Sequence, residues 1–188
     1  MSQNASINVR KLHRKIAPII LLPLLLTVLT GVIYRLGRSW FGMPEDVGKI
    51  FMGLHEGKFL GKGLVPFYVL LVGLGLIGMI ITGLSILKVQ RKPSKAFPKT
   101  EARGFHRFVA PLAFLPLLTS AVTGIAYRLG RAWFSLSREQ GAVLLKIHQG
   151  AYLGSTLKPI YVLLLGVSLV SLLVTGFQMT SLLRKAKA

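Results

Sequence analysis

The chain has 188 residues, of which 52% are hydrophobic and 15% charged, with a formal net charge of +19 and no cysteine. A soluble domain carries roughly 25% charged residues, so this composition indicates a membrane protein. The lack of cysteine excludes disulfides, thiolate metal sites, iron–sulfur clusters and thiolate ligation of haem.

The positive charge has two readings. In a soluble protein it would suggest binding to nucleic acid. Here the basic residues gather at the ends of apolar runs, which is typical of snorkelling side chains and of membrane topology. We therefore predict contacts with membrane lipids and no binding of nucleic acid.

Four apolar runs follow one another along the chain: Ile16–Leu36, Leu64–Leu87, Phe108–Leu129 and Leu157–Leu183. Each has about the 20 residues that cross a bilayer core, and in lipid such a run must be helical to satisfy its backbone. The first run is too long for a signal peptide and no small-residue cleavage site follows it, so we expect it to be retained. The sequence therefore predicts an all-α, multi-pass integral membrane protein with four transmembrane helices.

Basic residues are unevenly distributed between the two sides of these spans. The amino end, the loop between the second and third spans, and the carboxyl end together carry more Lys and Arg than the other two loops. The positive-inside rule then places both termini in the cytoplasm, as expected for a bacterial-type inner membrane or its equivalent.

The chain repeats itself at a fixed spacing of 93 residues. Matching pairs include Pro18/Pro111, Tyr34/Tyr127, Trp40/Trp133, Pro66/Pro159 and Thr82/Thr175. Each copy holds two spans, so the second copy enters the membrane in the same direction as the first. We predict a four-helix bundle of two tandem helical hairpins, residues 1–88 and 104–188, joined by a basic linker over 89–103. A pseudo-two-fold axis along the membrane normal would relate them.

Each outer loop is predicted to contain a short helix. Pro44-Glu45-Asp46 is a favourable start, with proline early and acids in the first turn. Arg138–His148 occupies the same place in the second copy.

The four histidines form two pairs at the spacing of the repeat. His13 and His106 precede the first and third spans, at the cytoplasmic face, while His55 and His148 precede the second and fourth, at the outer face. The symmetry sets each histidine opposite its copy, which is the arrangement that ligates a b-type haem iron from both sides. We predict two haems with these four metal ligands. A whole span of about 22 residues, or roughly 33 Å, would separate the pairs.

Small and basic residues accompany these pairs. Gly31 and Gly124 are expected at the depth of the outer pair, and Gly83 and Gly176 at that of the inner pair. They would leave room for a porphyrin or simply allow close helix packing. Arginines flank both pairs, and Arg35 and Arg128 are our candidate partners for haem propionates, with lipid phosphate as the alternative. The spans contain no acid and the chain shows no nucleophile–base pair, so no catalytic residue is predicted.

One family shares these motifs. His13-Arg14 leads into a span ending Leu29-Thr30-Gly31, Leu54-His55-Glu56-Gly57 follows, and a second span ends Ile81-Thr82-Gly83; the second copy repeats the pattern at His106-Arg107, His148-Gln149-Gly150 and Val174-Thr175-Gly176. Over nearly the whole chain this resembles the PepSY-associated transmembrane family. The resemblance implies a ferric-siderophore reductase or a related di-haem electron carrier. It also implies that the four histidines are haem ligands.

The chain departs from that family in its outer loops, which are too short for a periplasmic PepSY domain. A minimal electron conduit, or a subunit of a larger membrane complex, is therefore favoured over a siderophore reductase. The function expected is transmembrane electron transfer linked to a ferric chelate or a quinone, with unknown donor and acceptor. The alternatives are a non-redox scaffold or assembly subunit, and a chlorophyll-binding protein that uses the same histidines.

Overall fold

The computed structural model describes residues 3–89 and 101–180, and every regular element within them is helical. The six α-helices are α1 (Gln3–Trp40), α2 (Glu45–His55), α3 (Val65–Val89), α4 (Glu101–Trp133), α5 (Arg138–His148) and α6 (Gly154–Gln178). Short 3₁₀ helices, Lys58–Leu60 and Ala151–Leu153, precede α3 and α6. The prediction of an all-α four-helix membrane bundle is confirmed.

Four helices are long and apolar enough to cross a membrane: Asn8–Trp40, Val65–Leu87, Glu101–Trp133 and Ala151–Gln178. Large apolar side chains on their outer faces, such as Ile19, Leu22 and Leu112, are more than half exposed. In water this exposure would be unfavourable, whereas in lipid it has no such cost. The chain is therefore a multi-pass integral membrane protein.

The four long helices form a square. α1 packs against α3 and α6, and α4 packs against the same two helices. Equivalent helices of the two repeats, α1 with α4 and α3 with α6, thus occupy opposite corners. The square has the neighbours that the predicted two-fold relation requires, and the symmetry itself stays a prediction.

The helix bounds differ from the predicted spans at several ends. α1 begins at Gln3 and α4 at Glu101, well before the predicted spans at 16 and 108, because a helix can continue past the lipid as long as its backbone bonds are made. Residues 101–103 of the predicted linker thus belong to α4, and 90–100 lie outside the described residues. α6 ends at Gln178; the end of the fourth predicted span at 181–183 and the basic carboxyl end also lie outside them.

Short helices do occupy the outer loops, as predicted. α2 begins at Glu45 after Pro44, and α5 begins at Arg138 behind a capping box in which Ser137 and Gln140 bond each other's backbone N–H. The chain then turns at Gly57 and Gly150, whose φ angles of 75° and 64° lie in the left-handed region that favours glycine. These turns return the chain to the membrane and leave a histidine at the carboxyl end of each short helix.

Candidate functional site

The outer histidines face each other inside the bundle. His55 and His148 are the last residues of α2 and α5, and their ring centroids lie 6.4 Å apart with an interplanar angle of 73°. They line a mainly apolar cavity of about 230 Å³ between the four long helices.

The spacing of the two rings suits a shared metal. An imidazole nitrogen lies about 2 Å from a metal that it ligates, and the centre of the ring lies about 1 Å beyond that nitrogen. Two imidazoles on opposite sides of one ion therefore have centroids about 6 Å apart, close to the 6.4 Å between His55 and His148.

Hydrogen bonds fix which nitrogen of each outer ring is free. His55 Nδ1 lies 2.8 Å from the Thr27 carbonyl oxygen, and His148 Nδ1 lies 2.9 Å from that of Ser120. A carbonyl only accepts, so Nδ1 must carry the proton and donate it. The lone pair of each ring is then on Nε2, which is the tautomer of a metal-ligating histidine whose other nitrogen is anchored by the protein.

Two glycines make room for these rings. A Cβ atom on Gly31 would lie 2.9 Å from Cε1 and Nδ1 of His55, and one on Gly124 would lie 3.0 Å from Cε1 of His148. Both distances are below ordinary van der Waals contact. Each glycine therefore lies at the depth predicted for it, and its lack of a side chain leaves room for the edge of the imidazole ring.

Burial keeps the outer imidazoles neutral. Loss of hydration lowers the pKa of His55 below its usual value. The pKa of His148 falls to about 4, first through burial and then through the nearby His55. A neutral imidazole is the form that binds a metal.

The inner pair has the same arrangement with different anchors. His13 Nδ1 lies 2.7 Å from Thr82 Oγ1, and His106 Nδ1 lies 2.9 Å from Thr175 Oγ1. Each hydroxyl already donates to a backbone carbonyl of its own helix, at 2.7 Å and 2.6 Å, so it accepts from the histidine and again leaves Nε2 free. These histidines lie within α1 and α4, in the turns that come before the predicted spans at 16 and 108.

Four leucines separate the two sites. The inner histidines line a smaller cavity of about 80 Å³, and both cavities are bounded by the same four side chains, one from each long helix: Leu24, Leu76, Leu117 and Leu169. Leu24 and Leu117 are almost fully buried. We call these residues the leucine layer; it is an apolar partition at mid-membrane.

The two pairs lie closer together than a full span. The outer rings reach down to Thr27 and Gly31 of α1, which are 14 and 18 residues from His13. At about 1.5 Å per residue the separation along the helix is roughly 21–27 Å, and not the roughly 33 Å expected. The difference arises because α2 and α5 carry their terminal histidines back into the bundle.

The predicted arginines line the outer cavity but contact different groups. Arg35 donates from Nη2 to the side-chain oxygen of Gln149, whereas Arg128 Nη2 lies 3.4 Å from Glu56 Oε2. Arg128 Nε is buried without a hydrogen-bond partner. Arg38 and Arg131 instead donate to the backbone oxygens of Met43 and Leu136 and so fix the loops that follow α1 and α4.

The site fits a haem by its donor set. Each pair supplies two imidazoles with free Nε2 atoms in an apolar cavity, and the two predicted arginines line the outer cavity beside its histidines. Within residues 3–89 and 101–180, no group of three or more His, Cys, Asp or Glu side chains is positioned to hold a bare metal ion. The sequence reasoning missed Thr82 and Thr175 as anchors, although their match at the repeat spacing could have indicated them.

The comparisons with known proteins add no relatives. No family model, no curated protein and no solved structure matches this chain.

Proposed function

We propose that this protein carries electrons across a membrane through two b-type haems, one held by His55 and His148 and the other by His13 and His106. The observation that carries the proposal is the outer pair. Its rings face each other 6.4 Å apart, with both Nδ1 atoms within hydrogen-bond distance of backbone carbonyls. Imidazoles oriented by hydrogen bonds in this way would suit a metal that both histidines hold.

The rest of the bundle supports electron transfer over chemistry at the metal. When bound, haem supplies a reversible one-electron iron couple. Both histidines of a pair would hold the same haem, which suits an electron carrier better than a site for substrate chemistry. The leucine layer separates the cavities and keeps mid-membrane apolar, so water and protons are hindered between them.

We further propose membership of the PepSY-associated transmembrane family, with both termini in the cytoplasm of a bacterial-type inner membrane. The basic ends and central loop support this orientation. A cytoplasmic donor would then reduce the inner site, and a ferric chelate or a quinone would accept electrons at the outer site. The short outer loops favour a conduit, either alone or as a subunit of a larger complex.

The test is the haem content of the purified full-length protein. We expect a reduced-minus-oxidised spectrum of bis-histidine b-type haem and about two haems per chain, as predicted from two such ligand pairs. His55→Ala and His13→Ala should each retain one haem. Lys49→Ala, at an exposed surface ion pair with Glu45, serves as the control and should retain both.

Other outcomes would contradict the proposal. A protein that folds with ample haem supplied yet shows no haem bands would favour the scaffold alternative, and a chlorophyll in the pigment extract would favour the pigment-binding alternative. Retention of both haems by His55→Ala would exclude the pairing of His55 with His148.

A further inference from the structure

The outer cavity is not electrostatically symmetric, although its histidines are matched. At the repeat spacing, Glu56 corresponds to Gln149, and Val65 corresponds to Lys158. The first difference removes a negative charge from one side and the second adds a positive charge to the same side. The two predicted arginines thus have different surroundings.

On one side the arginine already has a carboxylate. Glu56 Oε2 lies 3.4 Å from Arg128 Nη2 and 3.0 Å from Lys58 Nζ, and the Arg128 and Glu56 side chains are only about a quarter exposed. These contacts are ionic without hydrogen-bond geometry. One of the two positive charges on this side is therefore already offset by a carboxylate.

On the other side two cations have no acid. Arg35 lines the outer cavity and bonds the neutral Gln149. Lys158 belongs to α6, which packs against α1 with Gly166 beside Val32, and it is one helical turn before Val162, which lines the same cavity. No ion pair found among residues 3–89 and 101–180 includes Arg35 or Lys158.

The counterpart of Lys158 shows that the charge is not needed for packing. Val65 is buried, with an exposed fraction of 1%, so an apolar side chain occupies the equivalent place in the first repeat. Two partly buried cations without an acid leave a positive charge at the edge of an apolar cavity, and an anion bound there would offset it.

We propose that Arg35 and Lys158 form a carboxylate-binding site on one side of the mouth of the outer cavity, called the one-sided site below. Its occupant would be a propionate of the bound haem. The inference rests on the proposed function. Glu56 already pairs with the cations on the Arg128 side, whereas a guanidinium with an ammonium nearby and no acid matches the charge and donor geometry of a carboxylate.

The experiment compares two porphyrins on the full-length chain. A His13→Ala background confines binding to the outer site. Each protein is titrated with ferric protoporphyrin IX and with its dimethyl ester, in which the carboxylates are blocked. We expect the free acid to bind about tenfold more tightly than the ester, the order of one charge-assisted hydrogen bond.

The variants test which side of the outer cavity binds the carboxylate. Lys158→Val installs the residue that the first repeat uses, and both it and Arg35→Gln should lose the preference for the free acid. Arg128→Gln should keep the preference, and Glu56→Gln should keep or increase it. Monodisperse elution and the thermal midpoint of each variant report on folding.

The outcomes separate the two proposals. If the parent binds neither porphyrin, the proposed function fails and this site fails with it. If the parent binds both porphyrins equally, or if Arg128→Gln loses the preference while Lys158→Val keeps it, haem binding stands and the one-sided site is refuted.

Discussion

The contact between Gly31 and His55 gives the sharpest prediction. In Gly31→Ala the new Cβ would lie 2.9 Å from Cε1 and Nδ1 of the His55 ring. Carbon contacts are normally about 3.5–4.0 Å, so the ring must move by more than half an ångström. The same movement lengthens the 2.8 Å hydrogen bond from His55 Nδ1 to the Thr27 carbonyl oxygen and changes the direction of His55 Nε2 relative to the His148 ring.

The magnitude follows from that bond. Leaving a buried polar group without its hydrogen bond costs about 1–3 kcal/mol, which corresponds to a loss of about tenfold to a hundredfold in haem affinity at the outer site. The helix itself gains up to about 1 kcal/mol from replacing glycine by alanine. The haem-free fold loses the same bond, and the helix gain offsets only part of that cost. Haem binding should therefore weaken, and the thermal midpoint of the haem-free protein should fall by a few degrees at most.

The matched control is Gly83→Ala at the inner site. There the new Cβ would lie 3.5 Å from Cε1 of His13, which is ordinary contact, so the inner haem should be retained. Haem titration followed by the Soret band measures both variants. Unchanged outer-site affinity in Gly31→Ala, or an equal loss in Gly83→Ala, would refute the reasoning.

Three further predictions concern other residues. Thr82→Val removes the hydroxyl that accepts a hydrogen bond from His13 and should lower the haem affinity of the inner site about tenfold. Thr30→Val is the control, because the Thr30 hydroxyl bonds only its own helix, and it should leave the haem content unchanged. In the haem-free protein, the pKa of His148 is about 4 against an ordinary 6.5. The unfolded chain therefore binds a proton that the fold rejects, and His148 alone should lower the stability by about 3 kcal/mol as the pH drops from 6.5 to 4. Chemical unfolding across this range checks the change, and in a His148→Phe variant the fall should be smaller by about that amount. Gly57→Ala would place a Cβ at a left-handed position and against the Tyr68 ring, whereas Gly61→Ala would have the left-handed strain without a clash. Gly57→Ala should therefore lower the thermal midpoint more than Gly61→Ala does, and equal midpoints would contradict this.

The sequence predicted much of the site through its repeat. The spacing of 93 residues paired His13 with His106 and His55 with His148, and it also placed Gly31 and Gly124 at equivalent depths. Each of these features depends on local pattern and on span length, which a sequence carries directly. The short helices α2 and α5 were predictable for the same reason, since proline, acids and capping residues mark their starts.

Other features depended on three-dimensional contacts. Nothing in the spacing indicates that Thr27 and Ser120 offer carbonyls to the outer rings. The separation of the two histidine pairs was also overestimated, because it depends on how far α2 and α5 turn back into the bundle. The leucine layer was missed too, since its four members are separated widely in sequence and unremarkable in an apolar helix.

The sequence by itself determined that this is a four-span helical membrane protein with four matched histidines, because hydropathy and repeat spacing are properties of the chain. The tertiary structure alone decided which atoms meet. It brought His55 to 6.4 Å from His148 and gave Arg128 a carboxylate that Arg35 lacks. The physical reason is that hydrogen bonds and ion pairs act over a few ångströms, and only the packing of the helices brings such distant residues within that range.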